Sequence, residues 1–222
     1  MCFSPEVDLI GGAAIAAVGI DTLRHVEHSS ERPLAVLPIV FGLHQVTEAF
    51  VWWGIDDRIP GQLGDIATWL YLAVAFGLLP WFVPVAIRSL EPRPRRRRYV
   101  SALVAAGFIV SLYLMIPVIR GPIHVVDGGL YLSYSVSLSF GGAVTAAYVA
   151  TTCGSLLLSS DRYLVWYGIG NLVTVTVLSV LLVSGVISLW CVWAAITSVA
   201  IAVHLRRTDR HRYRFPLVPK SG

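Results

Sequence analysis

The sequence predicts an all-α integral membrane protein, a bundle of seven transmembrane helices, and two observations support this fold class. Of the 222 residues, 56% are hydrophobic and only 14% are charged, and the mean hydropathy is +0.71. Soluble domains carry about 25% charged residues, so this composition is typical of a protein inside a bilayer. The apolar residues also occur in long runs, and a helix needs about 20 residues to cross ~30 Å of hydrocarbon.

Seven apolar segments are predicted to be helical spans. They cover residues 8–23, 33–55, 65–90, 99–119, 130–159, 163–184 and 186–205. The first is short and the fifth is long and contains glycines, so the ends of these two are the least well defined. A β-barrel is disfavoured because its strands alternate apolar and polar residues, whereas these segments are apolar on all sides. We expect one membrane domain, 1–222, with a short basic cytoplasmic tail at 206–222.

Basic side chains lie at the ends of the predicted spans. Fifteen of the 17 lysine and arginine residues fall on one side, in the odd-numbered loops and the tail, which leaves Arg58 and Arg120 on the other. Because loops rich in Lys and Arg stay in the cytoplasm, the N-terminus is predicted outside and the C-terminus inside. The tract EPRPRRRR at 91–98 lies between two spans, which favours contact with anionic lipid headgroups over binding of nucleic acid. The predicted location is the plasma membrane, with several passes.

The second predicted span contains the segment GLHQVTEAFVWWG, residues 42–54, in which titratable side chains interrupt an apolar run. Residues 44 and 48 differ by about 40° around a helix. One face of the helix therefore carries a polar stripe made of His44, Gln45, Glu48 and Trp52. The opposite face is apolar and carries Leu43, Val46, Phe50 and Val51.

Glu48 is the candidate catalytic residue, as a general base. An ionised carboxylate at such depth costs at least ~2.5 kcal/mol on insertion scales, so Glu48 is expected to be paired, protonated or next to a hydrated cavity. The alternative is that His44 and Glu48 hydrogen-bond to each other and only hold helices together. The predicted ligand-binding residues are Gln45, Trp52, Asn171 and Asp127.

Histidine and cysteine residues predict a metal site next to Glu48. Removal of Met1 would leave Cys2 with a free amine and thiol, a pair that can chelate a soft metal. Together with His44 and His124, Cys2 would suit zinc or another divalent metal, with a position open for water if the site is catalytic. The alternative is that Cys2 belongs to a plain N-terminal tail.

Two common membrane cofactors do not fit the sequence. No predicted span contains a lysine, which excludes a retinal Schiff base. A b-type haem needs paired histidines at matched depth, and only His44 lies deep in a span, so haem is disfavoured.

Two hypotheses about function follow. In the first, an outward-facing polar pocket binds a metal ion or a small polar ligand, and in its sharper form the protein is a metal-dependent hydrolase of a lipid-like substrate. In the second, the protein is a non-enzymatic sensor or a proton- or ion-coupled carrier. The expected partners are the lipid bilayer and a small-molecule or ion ligand, with no nucleic acid. Nothing in the sequence identifies a protein partner.

The N-terminal quarter of the chain resembles a family of uncharacterised membrane proteins. The chain opens Met-Cys-Phe-Ser and carries His-Gln-x-x-Glu with a following tryptophan, at His44, Gln45, Glu48 and Trp52. The family that it resembles is bacterial, common in actinobacteria, and implies a bacterial inner membrane as the location. The resemblance also implies that the N-terminal tail and the second span belong to one site. It implies no activity.

Overall fold

The computed structural model describes residues 4–129, 131–136, 138–181 and 186–214, the last stretch without the side chains of 204 and 206–214. Within these ranges the chain is helical apart from its loops and one small hairpin, as the sequence predicts. The helices are α1 (Pro5–His25), α2 (Arg32–Ile55), α3 (Gly61–Leu72), α4 (Leu79–Leu90), α5 (Pro94–Arg120), α6 (Gly141–Leu157), α7 (Arg162–Leu181) and α8 (Val186–Arg214). A π-helical turn, Ala73–Leu78, joins α3 to α4.

Five helical segments of the described chain are long and apolar enough to cross a membrane. They are Arg32–Ile55, Gly61–Leu90, Pro94–Arg120, Arg162–Leu181 and Val186–Val203. This supports a membrane protein. Two helices are not among the five. They are α1, which carries the charged residues Glu6, Asp8 and Arg24, and α6, which has 17 residues. The number of seven spans and the orientation therefore stay predictions.

The fifth predicted span, 130–159, begins too early, and this part of the prediction is wrong. An antiparallel hairpin precedes α6, and its strands are β1 (His124–Asp127) and β2 (Leu132–Ser135). The first helical residue after it is Gly141. In β2, Leu132 and Tyr134 are buried and Ser135 is exposed. This two-residue alternation is typical of a strand with one buried face.

Pro80 explains the π-helical turn. Proline has no backbone N–H to donate to the carbonyl four residues earlier, so a regular α-helix cannot continue through it. Side chains donate to two carbonyl groups of the turn: Tyr148 Oη to Ala75 O at 2.8 Å and Trp81 Nε1 to Gly77 O at 2.9 Å. The irregular turn is therefore tied to α6 through Tyr148.

Helix α2 is central to the bundle, because it packs against α1, α3, α4 and α8. Its contact with α1 is very close at Gly12 and Gly42. A methyl group on Gly42 would lie 2.5 Å from the backbone nitrogen of Ala16 and 2.6 Å from the carbonyl oxygen of Gly12. Only glycine fits at this point, as in other membrane helix pairs in which small residues let backbones approach.

The buried apolar side chains form two clusters. One lies around Leu34, Ile87 and Leu164 and includes residues of α1, α2 and α4–α8, and the other lies around Leu114 and Leu132 and includes residues of α2, α3, the π-helical turn, α5 and the hairpin. Helices α5 and α7 also expose large apolar side chains on their outer faces, among them Ile109, Ile119, Val177 and Val180. Such faces are unfavourable in water and are expected to contact lipid.

Glu91 links two loops at the end of the bundle that is predicted to be cytoplasmic. This side chain is 4% exposed and accepts hydrogen bonds from Ser160 N at 2.7 Å, Ser160 Oγ at 2.6 Å and Arg93 N at 3.1 Å. Arg96 donates to Ser159 O at 2.7 Å, beyond the last turn of α6. Burial raises the pKa of Glu91, but the hydrogen bonds from Ser160 and Arg93 and the charge of Arg96 outweigh burial, so the pKa is lowered.

We expect Gly42→Ala to destabilise the protein by about 1–3 kcal/mol, because the new methyl group would clash with backbone atoms of α1 that cannot move away singly. Thermal unfolding in detergent micelles measures this effect. Gly142→Ala is the matched control, because a methyl group there meets no atom within 4 Å. Equal stabilities of the two variants would contradict the close contact.

We expect Glu91→Gln to destabilise the protein at neutral pH by about 1–3 kcal/mol, since the amide cannot accept hydrogen bonds as a carboxylate does. The pKa of Glu91 is lower in the folded than in the unfolded chain. The stabilisation that Glu91 gives the folded protein is therefore fully present above the unfolded-state pKa, about 4.3. It is lost as the pH falls through the pKa of Glu91 in the folded protein.

Unfolding measured as a function of pH tests this expectation. The variant should lose part of the acid sensitivity of the original protein. Glu27→Gln, at an exposed position, is the control and should keep it. Parallel stability curves for Glu91→Gln and the unchanged protein would contradict the role of Glu91.

Candidate functional site

The polar stripe of α2 faces the inside of the bundle. All four of its side chains are at most 5% exposed: His44, Gln45, Glu48 and Trp52. On the other side Leu43 and Phe50 are exposed. The prediction that Val51 belongs to that side is wrong: Val51 follows His44 by seven residues, about two turns of helix, so it lies on the same side as His44 and is buried in the core. The helix therefore turns its titratable groups away from the surface.

Asp8 brings a second carboxyl group to the same place. It lies on α1 one turn before Gly12, where the two helices approach closely, and its side chain is completely buried. Its carboxyl group is near enough to Glu48 to interact with it electrostatically. The Trp52 indole also interacts with Asp8, although the two form no hydrogen bond of ordinary geometry. We call Asp8 and Glu48 the acid pair.

Glu48 is held by side chains from two other elements. Ser188 Oγ, at the start of α8, donates a hydrogen bond to Glu48 Oε1 at 2.7 Å. Tyr134 Oη, on β2, reaches the same oxygen at 3.5 Å, the long limit for a hydrogen bond. The acid pair is thus enclosed by α1, α2, α8 and the hairpin.

Three aromatic rings are stacked beside the acid pair. The His44 and Tyr71 rings are 3.9 Å apart at their centroids and 12° from parallel, and the Tyr71 and Tyr134 rings are 4.7 Å apart and 13° from parallel. Tyr71 is the last but one residue of α3 and lies two residues before the start of the π-helical turn. The stack fixes the position of His44 and Tyr134 on opposite faces of Tyr71.

Several buried polar atoms of this region form no hydrogen bond with any described residue. They are both carboxylate oxygens of Asp8, both ring nitrogens of His44, the amide nitrogen and oxygen of Gln45, and Nε1 of Trp52. Native proteins leave few such atoms unsatisfied. Their concentration in one place distinguishes this site from a core that is held together by internal hydrogen bonds. We call the two acids, these side chains, Tyr71, Tyr134 and Ser188 together the polar cluster.

The other predicted site residues lie apart from the polar cluster or outside the described chain. His124 and Asp127 are exposed on β1, where Asp127 Oδ1 accepts a hydrogen bond from Gly129 N at 2.6 Å. Asn171 is buried on α7, donates to Tyr167 O at 2.8 Å and borders a separate cavity of about 50 Å³. Cys2 lies outside the described residues.

The predicted metal site does not form from the described residues alone. Among them, no group of three His, Cys, Asp or Glu side chains is arranged to hold a metal ion. His44 and Glu48 lie in the same cluster, but His124 does not. A metal bound by His44 would need further ligands from outside this set of described side chains.

Four residues of the polar cluster are not among the predicted site residues: Asp8, Tyr71, Tyr134 and Ser188. Asp8 has a signal in the sequence, since small residues follow at Gly12, Ala16 and Gly19, and a helix face with this spacing packs closely on a neighbour. Tyr71 and Ser188 lie in apolar segments with no distinctive spacing, so only the fold reveals them.

A largely apolar groove of about 390 Å³ adjoins the polar cluster. It lies between the hairpin, the π-helical turn, α5, α6, α7 and α8, and its wall includes Tyr134, Tyr148, Val175, Trp190 and Cys191. Tyr134 therefore has one side in the groove and its hydroxyl group near Glu48. Cys191 also interacts with both Glu48 and Tyr71.

A model of a protein family matches residues 1–215, and its description is a family of unknown function, DUF6629. The chain therefore belongs to that family, which confirms the resemblance to an uncharacterised family. The bacterial origin and the two motifs that were quoted for the resemblance stay predictions. Neither the curated proteins nor the solved structures gave a match.

Proposed function

We propose that this family member is a membrane protein that binds protons, and small cations in competition with protons, at the acid pair Asp8 and Glu48. It would act as a proton- or ion-coupled carrier or as a sensor. One observation carries the proposal. Two fully buried carboxyl groups interact inside an apolar bundle, and neither oxygen of Asp8 has a hydrogen-bond donor among the described residues.

The energetics of buried charge support this function. Two carboxylates that lie close together in a medium of low dielectric constant repel each other, and a bound proton or a bound cation reduces their negative charge beyond what the N-terminal amine, which also acts on Asp8, provides. Arg58, the basic residue next to this end of α1, forms its salt bridges at the surface, with Glu6 at 3.1 Å and Asp56 at 3.5 Å. That arginine is therefore engaged away from the acid pair.

The hydroxyl groups around Glu48 suit a site that changes its protonation state. A hydroxyl group donates a hydrogen bond to a carboxylate and accepts one from a carboxylic acid, by rotation alone. Ser188 and Tyr134 can therefore stay in contact with Glu48 in both states. A site of this kind can gain and lose a proton without a large movement of the backbone.

We expect Asp8→Asn and Glu48→Gln each to remove part of the proton exchange of the purified protein. Infrared difference spectra after a change of pH detect the carbonyl band of a buried carboxylic acid, and sodium ions added at constant pH should reduce that band. Glu6→Gln is the control, since Glu6 is an exposed acid on α1. A band that is unchanged in both Asp8→Asn and Glu48→Gln would exclude the acid pair as the exchange site.

The groove next to Tyr134 favours a second candidate function, a metal-dependent hydrolase of a lipid-like substrate. An apolar groove of this size could hold a hydrocarbon chain near Glu48, which would act as general base. This candidate requires zinc or another divalent metal on His44 and Cys2. The described residues do not by themselves complete such a site.

Elemental analysis of the purified protein tests the second candidate. A hydrolase of this kind should retain about one metal ion per chain, and His44→Ala or Cys2→Ser should lose it because each removes a ligand. His28→Ala, at an exposed position, is the control and should keep the metal. A metal-free protein before any substitution would rule out this candidate and leave the first.

A further inference from the structure

We infer that the cation for this site is amphiphilic, a long-chain amine whose hydrocarbon chain lies in the groove and whose ammonium group binds the acid pair. The inference rests on the proposed function, since it requires that the acid pair binds cations in competition with protons. It adds the chemical class of the ligand and its route into the bundle.

The groove has the properties of a binding site for a hydrocarbon chain. Its volume of about 390 Å³ lies in the range of small-molecule sites, and most of its wall is apolar, with Phe76, Leu114, Val144 and Val175 among the lining residues. The elements that border it include the apolar helices α5, α7 and α8. A chain that enters from the bilayer would exchange one apolar surrounding for another, so its polar end decides the affinity.

The entrance of the groove carries hydroxyl groups. Ser135, Thr145 and Ser179 line the groove and are exposed. Ser179 lies near the last residue of α7, and Thr145 lies in the second turn of α6. The hydroxyl groups therefore lie at the end of the bundle that contains the last turn of α7 and the first turns of α6. An amphiphile that enters at this level of the bundle keeps hydrogen bonds to its head group during entry.

Tyr134 separates the groove from the acid pair. It lines the groove, stacks on Tyr71 and places its hydroxyl group 3.5 Å from Glu48 Oε1. This contact is at the long limit of hydrogen bonding and is weak. An ammonium group would form a charge-assisted hydrogen bond with Glu48 in its place.

Charge and aromatic rings both select a positively charged head group. The acid pair supplies negative charge, and the groove is lined by Tyr134, Tyr148 and Trp190, whose ring faces attract ammonium groups. An anionic amphiphile would be repelled by the acid pair, and a neutral one would gain no charge-assisted contact.

Binding of dodecylamine and of dodecanol to the protein in nanodiscs tests the inference, because the two probes share a chain and differ in charge. Ser179→Trp places a large ring at the groove entrance, at a position where an exposed side chain leaves room for folding. Val180→Trp is the matched control, since Val180 is the next residue, is 74% exposed and does not line the groove. Methylammonium is the probe for the acid pair alone.

We expect Ser179→Trp to weaken dodecylamine binding by at least about tenfold, because the new ring fills the entrance and keeps the chain from placing its ammonium group at the acid pair. Val180→Trp should not weaken it, and methylammonium should still compete with protons in Ser179→Trp. Equal binding of dodecanol and dodecylamine would overturn the inference about charge. Unchanged dodecylamine binding in Ser179→Trp would overturn the inference about the groove and leave the proposed function intact. If methylammonium fails to displace protons from the original protein, the proposed function itself is wrong.

Discussion

The close contact between α1 and α2 is the constraint on which the rest of the structure depends. In a bilayer, helices gain no hydrophobic free energy by meeting, so they associate where small residues let their backbones pack. Gly12 and Gly42 provide this contact, and backbone atoms of each helix occupy the space that a methyl group on the other would need. Asp8 lies one turn from Gly12 and Glu48 lies less than two turns from Gly42. The contact that joins the two helices thus also joins the acid pair.

His44 and Glu48 do not form the mutual hydrogen bond that the helix-holding alternative requires. In the helix-holding alternative, His44 and Glu48 satisfy each other, which would make the pair a structural hydrogen bond. Instead Glu48 accepts from Ser188, and neither ring nitrogen of His44 bonds to a described residue. His44 is positioned by stacking on Tyr71. A side chain that is fixed by its ring face, and whose two nitrogens are unused by the described chain, is available to a ligand or to water.

Much of the helical bundle could be predicted from the sequence, because apolar runs of sufficient length have few alternatives in a membrane. The hairpin could not be predicted from the same signal. The mean hydropathy of residues 130–140 is high. In this average the pattern of β2 is lost, in which Leu132 and Tyr134 alternate with serines. In the site, the 3.6-residue period identified His44, Gln45, Glu48 and Trp52 as one stripe. Their partners come from α1, α3, β2 and α8, and contacts between distant segments leave no periodic signal in a single sequence.

The hairpin that hydropathy missed also lies between the groove and the acid pair. A two-stranded hairpin of four-residue strands is marginally stable alone and depends on what it packs against. Here the buried face of β2 provides that packing, with Leu132 in the apolar core and Tyr134 against Tyr71. Tyr134 lines the groove on one side and meets Glu48 on the other, so a shift of this one strand would connect the two spaces. Neither the hairpin nor Tyr134 belongs to the close contact of α1 with α2, so such a shift would leave that contact unchanged.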